Sequence, residues 1–485
     1  MRCLFIVRMG VNLAYVATVA LAAFLLQKFI LHPLFNSPLA KIPVPHWSCH
    51  VAPIWILLAR KHNYQNRRLH QAHQALGSVI RVGPNELSVD GFDALKTVYQ
   101  GGFEKDKWYS IFDNYGVPCM FSTLDSKAHS LRKRMISNVA KPSSLSVSCP
   151  FSKSYRDHWL QLYLVRSSYG FWPQEMPRFT KFCGRLGSWA KPYPAWVDDA
   201  NGELGDWNKR LCDKARNAIH GKKLMEEEWT ANEPVVFRAL EAGMEKERRV
   251  NGHGSLLYST IILQRDLSMA SEVMDQVLAG QETAGIALTY MAWHLSKSPE
   301  LQAELRKELL ILDPPLTISA VPSSPNGFPE AKQVDGLPVL HAMIMETLRL
   351  HAPIPGPEPR RTPYPSCQLG PYQVPGGARV SAVGWALHRN EKVFPKSDVW
   401  DYTRWLESET SEEQRKEMKR YFWAFGSGGR MCVGSNFAMN EMKYIAAAIW
   451  SNFSTHIVDD TDIQQDDTYT ARPIAERLIL RFERL

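Results

Sequence analysis

Cys432 stands in Phe425-Gly426-Ser427-Gly428-Gly429-Arg430-Met431-Cys432-Val433-Gly434, a glycine-rich stretch that leads into a helix-forming segment. Phe437, Met442, Ile445, Ile449 and Phe453 recur at helical spacing after it, so the thiol lies at or just before a helix N-terminus. Free N–H groups and the helix dipole favour an anion there, and a thiolate supplies one. Gly428 and Gly434 accept backbone angles that other residues resist and let a flat ligand come close, while Arg430 sets a fixed cation just ahead of the sulfur. A planar dianionic cofactor with an iron centre meets all three features.

Two further groupings could serve such a centre. Ala279-Gly280-Gln281-Glu282-Thr283 lies inside a long helical run, Ser268–Ser296. Glycine within a helix costs about 1 kcal/mol relative to alanine, so Gly280 marks a local opening with room for a diatomic ligand. Beside it Glu282 and Thr283 pair a carboxylate with a hydroxyl, a combination that can hold water and pass protons. Taken alone, the same pair reads as a solvated Glu and a Thr bonded back to its own turn. Glu346 and Arg349 stand three residues apart, on a segment whose Leu340, Ile344 and Leu348 form an apolar face. Arg404 follows in Asp401-Tyr402-Thr403-Arg404-Trp405.

The Cys432 stretch resembles the Phe-x-x-Gly-x-Arg-x-Cys-x-Gly signature of the cytochrome P-450 family, the haem-thiolate monooxygenases, whose axial ligand is cysteine. The order of the other two groupings is similar to that family as well. The resemblance covers residues 45–485, and the wording of Phe422–Arg430 looks most like members from filamentous fungi. It implies haem b with Cys432 as the iron's axial ligand, held in a loop shaped by Phe425, Gly428 and Gly434. Arg430, Arg360, His129 and Lys133 become the cations for the propionates, the last two taking the places of a Trp-x-x-x-Arg pair. Glu282 and Thr283 become the catalytic proton carriers, although Ala284 stands where the family has a second hydroxyl. Glu346, Arg349 and Arg404 become a buried structural ion network.

The implied fold is mainly α with small β-sheets, preceded by one transmembrane helix. The chain has 485 residues, a net charge of +8 and no Lys/Arg run of nucleic-acid type, so nucleic acid is not an expected partner. Its eight cysteines show neither paired nor finger spacing, which fits a reducing compartment. Residues 1–9 form a tip and 10–31 an almost wholly apolar segment, long enough as a helix to span a hydrocarbon core of roughly 30 Å. Residues 32–46 carry prolines 33, 38, 43 and 45, a stiff hinge, and 47–485 form the catalytic domain.

Within that domain Ser78–Asp90 predicts a hairpin about Gly83-Pro84-Asn85. Helices are expected at Leu131–Val139, Trp207–Trp229, Val235–Arg249, Ser268–Ser296 and from Pro299. Strands return at Gln368–Val374 and Arg379–Val383. The stretch 140–151, serine- and proline-rich without helical period, reads either as an inserted loop or as translated non-coding sequence.

The resemblance implies a monooxygenase of fungal secondary metabolism in the endoplasmic reticulum membrane, anchored by a single pass and facing the cytosol. It would insert one atom of dioxygen into a small apolar organic substrate. Electrons would come from NADPH through a separate flavoprotein reductase, since the chain has no flavin or nicotinamide motif. Tyr99–Met120 and the helices between Phe171 and Arg249 are the expected substrate lining. Two other readings stand beside this one, a haem-thiolate isomerase or dehydratase and a catalytically inactive haem-binding protein.

Overall fold

A computed structural model describes residues 15–137, 153–220, 234–318 and 328–485. The expectations for 140–151, for the helix beyond His220 and for residues 1–14 fall outside them. The chain forms two compact units, one of residues up to 103 together with 357–383, the other of 104–356 with 384–485.

The first unit begins with helix α1, Tyr15–Asn36, among the described residues the one helix long and apolar enough to cross a membrane. It runs past the sequence expectation of Leu31 and takes Pro33 inside a π-helical close, Gln27–Asn36. Proline removes one donor from the regular ladder, and the wider π pattern accommodates the loss. The connector therefore starts at Ser37 rather than at residue 32.

A sheet follows, built from β1 (Val79–Gly83), β2 (Glu86–Val89), β3 (Arg360–Arg361) and, after the hairpin β4 (Ser366–Leu369) and β5 (Tyr372–Pro375), β6 (Arg379–Ala382). β1 and β2 are antiparallel with Val79 opposite Val89, β2 runs parallel to β6 with Leu87 opposite Val380, and β3 is antiparallel to β6. The single strand expected at Gln368–Val374 is instead two strands folded about Gly370, whose φ of +55° makes the turn. Arg81, wholly buried, donates to the carbonyls of Pro33 at 2.9 Å and Pro84 at 2.8 Å, tying the end of α1 to this sheet.

The second unit is mostly helical and includes a hairpin of β7 (Phe453–Asp459) and β8 (Ile479–Arg484). Its main helices are α2 (Ser126–Ile136), α3 (Lys153–Ser168), α4 (Trp196–His220), α5 (Val235–Asn251), α6 (Arg265–Ser296), α7 (Pro299–Leu309), α8 (Pro338–Leu350) and α9 (Ser435–Trp450). Ser298 caps α7, its hydroxyl accepting from the Leu301 N–H, with Pro299 in the first position where a missing N–H costs nothing. One core joins four of these helices. Met291 and Leu295 of α6, Leu305 and Leu309 of α7, Leu340, Met343 and Leu348 of α8, and Met442, Ala446 and Trp450 of α9 are all buried together. The apolar face read for Leu340, Ile344 and Leu348 is the side of α8 that enters this core.

Candidate active site

The loop before α9 is folded by its glycines. Gly426 and Gly428 take φ of +67° and +70°, and a 3-10 turn, Gly428–Arg430, follows. The Cys432 N–H closes the loop on the Phe425 carbonyl at 2.9 Å, and Gly434 stands at the start of α9 with no side-chain cap. A Cβ at Gly434 would meet only the Cys432 sulfur, at 3.9 Å. Among the described cysteines, Cys49, Cys119, Cys183 and Cys212 are buried, Cys367 is half-buried, and Cys432 alone is exposed.

The middle of α6, a helix packed against α9, is the other stretch of interest. Met269, Ala270, Ser271 and Glu272 are buried on one side of it and Ala287, Tyr290 and Met291 on the other, yet Ala279, Gly280, Gln281 and Gly285 between them are exposed. Nothing lies within 4 Å of a Cβ built at Gly280 or Gly285. Helix α6 packs against α9, and the cysteine loop joins clusters that α6 also enters. Phe425 packs on the cluster containing Ala284 and Ala287, while Val433 packs on the one containing Met269 and Ala270. A soft sulfur donor at a helix N-terminus, glycine-thin walls and an uncovered helix face fit a haem bound through Cys432.

Cations line the loop, but they hold protein groups. Arg430 donates to the carbonyls of Thr123 and Leu124, both at 2.6 Å, and lies 3.4 Å from the Glu104 carboxylate. Lys133 reaches from α2 to the carbonyls of Met431 at 2.8 Å and Gly429 at 3.2 Å. Burial lowers its pKa, and a negative Cys432 opposes that shift, so ammonium and sulfur are within electrostatic reach. His129, one turn earlier on α2, is buried. Its neighbour Arg132 pairs instead with Glu272 of α6 at 2.5 Å. Arg360 belongs to the first unit, where its guanidinium stacks over Tyr99 at 4.9 Å and meets Glu358 at 3.1 Å.

Thr283 and Glu282 diverge although they are adjacent. The Thr283 hydroxyl donates to the Ala279 carbonyl at 2.9 Å, bonding back to its own turn. The Glu282 side chain is buried, accepting from the Tyr163 hydroxyl on one oxygen and pairing with Arg472 at 2.8 Å on the other. Burial pushes its carboxyl up from the ordinary value, with Arg472 pulling the other way.

Behind the loop, Glu346, Arg349 and Arg404 come together. Both Glu346 oxygens accept from Arg349 at 2.8 Å, and one also takes Arg404 at 3.1 Å. The Asp401 N–H at 2.9 Å and the Trp405 indole N–H at 3.0 Å complete its shell. Arg349 spends its remaining donors on the carbonyls of His388 and Ser397, each at 2.7 Å. Every charge in this fully buried pair is thus matched by hydrogen bonds. Sequence reading passed over Tyr163 and Arg472 and gave Trp405 no role, since single residues far along the chain carry no spacing signal.

A family model described as Cytochrome P450 matches residues 214–476. The chain is 26% identical over 489 residues to the cytochrome P450 monooxygenase hkm5 of Aspergillus hancockii, covering 93% of this chain and 92% of that one. It is 25% identical to the cytochrome P450 monooxygenase stcB of Emericella nidulans, over 85% of this chain and 81% of the other. A third relative, the cytochrome P450 monooxygenase aflV of Aspergillus parasiticus, is 26% identical over 86% of this chain and 85% of its own length.

Proposed function

The chain belongs to the cytochrome P450 family, and from that premise we propose that it is a membrane-anchored monooxygenase of fungal secondary metabolism. It inserts one oxygen atom of dioxygen into a small apolar organic substrate. The single observation that carries this reading is the exposed Cys432 at the head of α9, a helix packed against α6, whose Ala279–Gln281 stretch is uncovered.

Haem, when bound through Cys432, supplies the dioxygen activation that no side chain here can perform. The protein's part is positional and protic. Lys133 and Arg430 fasten the cysteine loop to α2 and to the segment before it, keeping the sulfur at the helix terminus that favours its anion. Glu282 is the group that exchanges protons with the interior, and Thr283 presents a hydroxyl on the open face. Glu346, Arg349 and Arg404 hold α8 to the segment ahead of the loop, a structural role. Arg360, His129, Lys133 and Arg430 are the cations proposed to receive the propionates.

Electrons come from NADPH through a separate flavoprotein reductase, and α1 sets the enzyme in the endoplasmic reticulum membrane with the remainder in the cytosol. An isomerase or dehydratase would need neither reductase nor proton carriers, and the buried, clamped Glu282 favours the oxygenase. The deciding experiment is incubation of membranes containing the full chain and a fungal reductase with NADPH, a metabolite extract and isotopically labelled dioxygen. Label in a product that depends on both NADPH and Cys432 supports the reading, and turnover independent of NADPH rejects it.

A further inference from the structure

Glu282, on α6, is held by two elements that are remote from it in sequence. Tyr163 and Ser167 stand one turn apart on the same face of α3, and Arg472 comes from the segment before β8. The Tyr163 hydroxyl donates to Glu282 Oε2, and Arg472 Nε lies 2.8 Å from Oε1. Arg472 is itself fixed, by Ser167 Oγ at 2.5 Å and by Glu476 at 2.9 Å. Tyr163 is fixed by a parallel stack on Trp159, with ring centroids 5.8 Å apart. One oxygen of this buried carboxylate therefore takes a hydrogen bond and the other a close ion pair, each from a side chain whose own position is secured.

We propose that Tyr163 and Arg472 are positioning residues for Glu282, fixing the direction of its carboxylate and how readily it holds a proton. The proposal rests on the reading of Glu282 and Thr283 as proton carriers. Each donor stabilises the charged carboxylate, and removing either leaves burial to act with less opposition. The other charges that face Glu282 are Glu476 and Asp466, which favour its protonated form, and the Thr470 hydroxyl supports the charged one. A carboxyl held by both donors stays ionised to lower pH and remains ready to take a proton from solvent. One that has lost them keeps its proton.

The test uses full-length, haem-loaded protein and two readouts. Infrared titration follows the carbonyl stretch of protonated Glu282, assigned by its absence in Glu282→Gln. Product formed per NADPH is measured on the same samples. Tyr163→Phe keeps the stack on Trp159 and removes only the hydroxyl, so the titration midpoint should rise by about one pH unit and product per NADPH should fall severalfold. Arg472→Lys, which keeps the charge, should lie between wild type and Arg472→Met on both measures. If Tyr163→Phe does not retain haem, the two Arg472 variants decide by the same ordering.

An unchanged midpoint and unchanged product per NADPH in Tyr163→Phe and Arg472→Met, with Thr283→Ala uncoupled, would overturn the positioning role alone. Full coupling in Thr283→Ala as well would overturn the proton-carrier reading beneath it.

Discussion

Lys133 Nζ donates to the carbonyl of Met431 at 2.8 Å, one residue ahead of the cysteine. The bond joins α2 to the loop that carries Cys432, and a second bond to Gly429 braces the turn from the same ammonium. Replacing Lys133 by Met keeps much of the stem and removes both donors. The expected loss is roughly 1 kcal/mol of loop stability per bond, lessened by solvent at this half-exposed site. Haem retention during gel filtration should fall severalfold, while unloaded protein keeps its circular dichroism. Unchanged retention would show that the loop is held without this contact.

Glu346→Ala should be far more damaging, because it strands Arg349 and Arg404 inside the protein. Breaking one side of a buried, hydrogen-bonded ion network costs about 3–5 kcal/mol. Glu346→Gln, which can still accept, should fall between. Thermal unfolding measured at neutral pH checks the order, and an alanine variant as stable as wild type would contradict the network's structural role.

His388 sets a pH dependence. Its Nε2 accepts from the Trp423 N–H at 2.8 Å, and burial with the nearby Arg349 pushes its pKa down to about 3. Burial likewise lowers His294 to about 3 and His341 to about 4. Such groups stay neutral in the folded state but take up protons on unfolding below about 6.5, so their stability is fully present above that pH and is lost as pH falls. Each removes up to about 1.4 kcal/mol per pH unit through that window. The midpoint of thermal unfolding should therefore drop steadily from pH 7 to pH 5, and less steeply in His341→Gln. A flat profile would mean that these imidazoles are already charged in the fold.

Thr283→Ala should leave haem and substrate binding nearly intact while diverting reducing equivalents to peroxide or water. The fold cost is small, since the hydroxyl bonds only to its own turn. Product per NADPH is the measurement, and an unchanged ratio would reduce Thr283 to an ordinary helix residue.

Deleting residues 1–32 removes most of α1 yet spares Pro33, whose carbonyl receives Arg81. The truncated chain should leave the membrane fraction and keep its haem. Deleting 1–36 also takes the acceptor, and a wholly buried guanidinium then loses a partner, so this protein should accumulate less well. Carbonate-resistant membrane retention of the shorter deletion would show that another segment inserts.

What the sequence made legible was local. The cysteine loop, Glu346 with Arg349, the cap at Ser298 and the long helix are written in spacings of a few residues, and Gly83-Pro84-Asn85 marks its own hairpin. Helix ends were less legible. Pro33 read as a stop, but a π-helical turn absorbs it, and the strand expected through Gly370 folds back there instead. Least legible were contacts closed by tertiary packing. Arg430 and Lys133 read as cations for an anionic cofactor, whereas in the fold they donate to backbone carbonyls, and nothing near Tyr163 or Arg472 hints at Glu282.

The central claim is that the exposed Cys432 binds haem iron as a thiolate. The most direct measurement is the absorption spectrum of the purified full chain, reduced and exposed to carbon monoxide, beside Cys432→Ala and Cys432→Ser. Wild type should show the red-shifted band of a thiolate-ligated haem, and neither variant should. A thiolate band that persists in either variant, or a wild-type protein that binds haem without one, would contradict it.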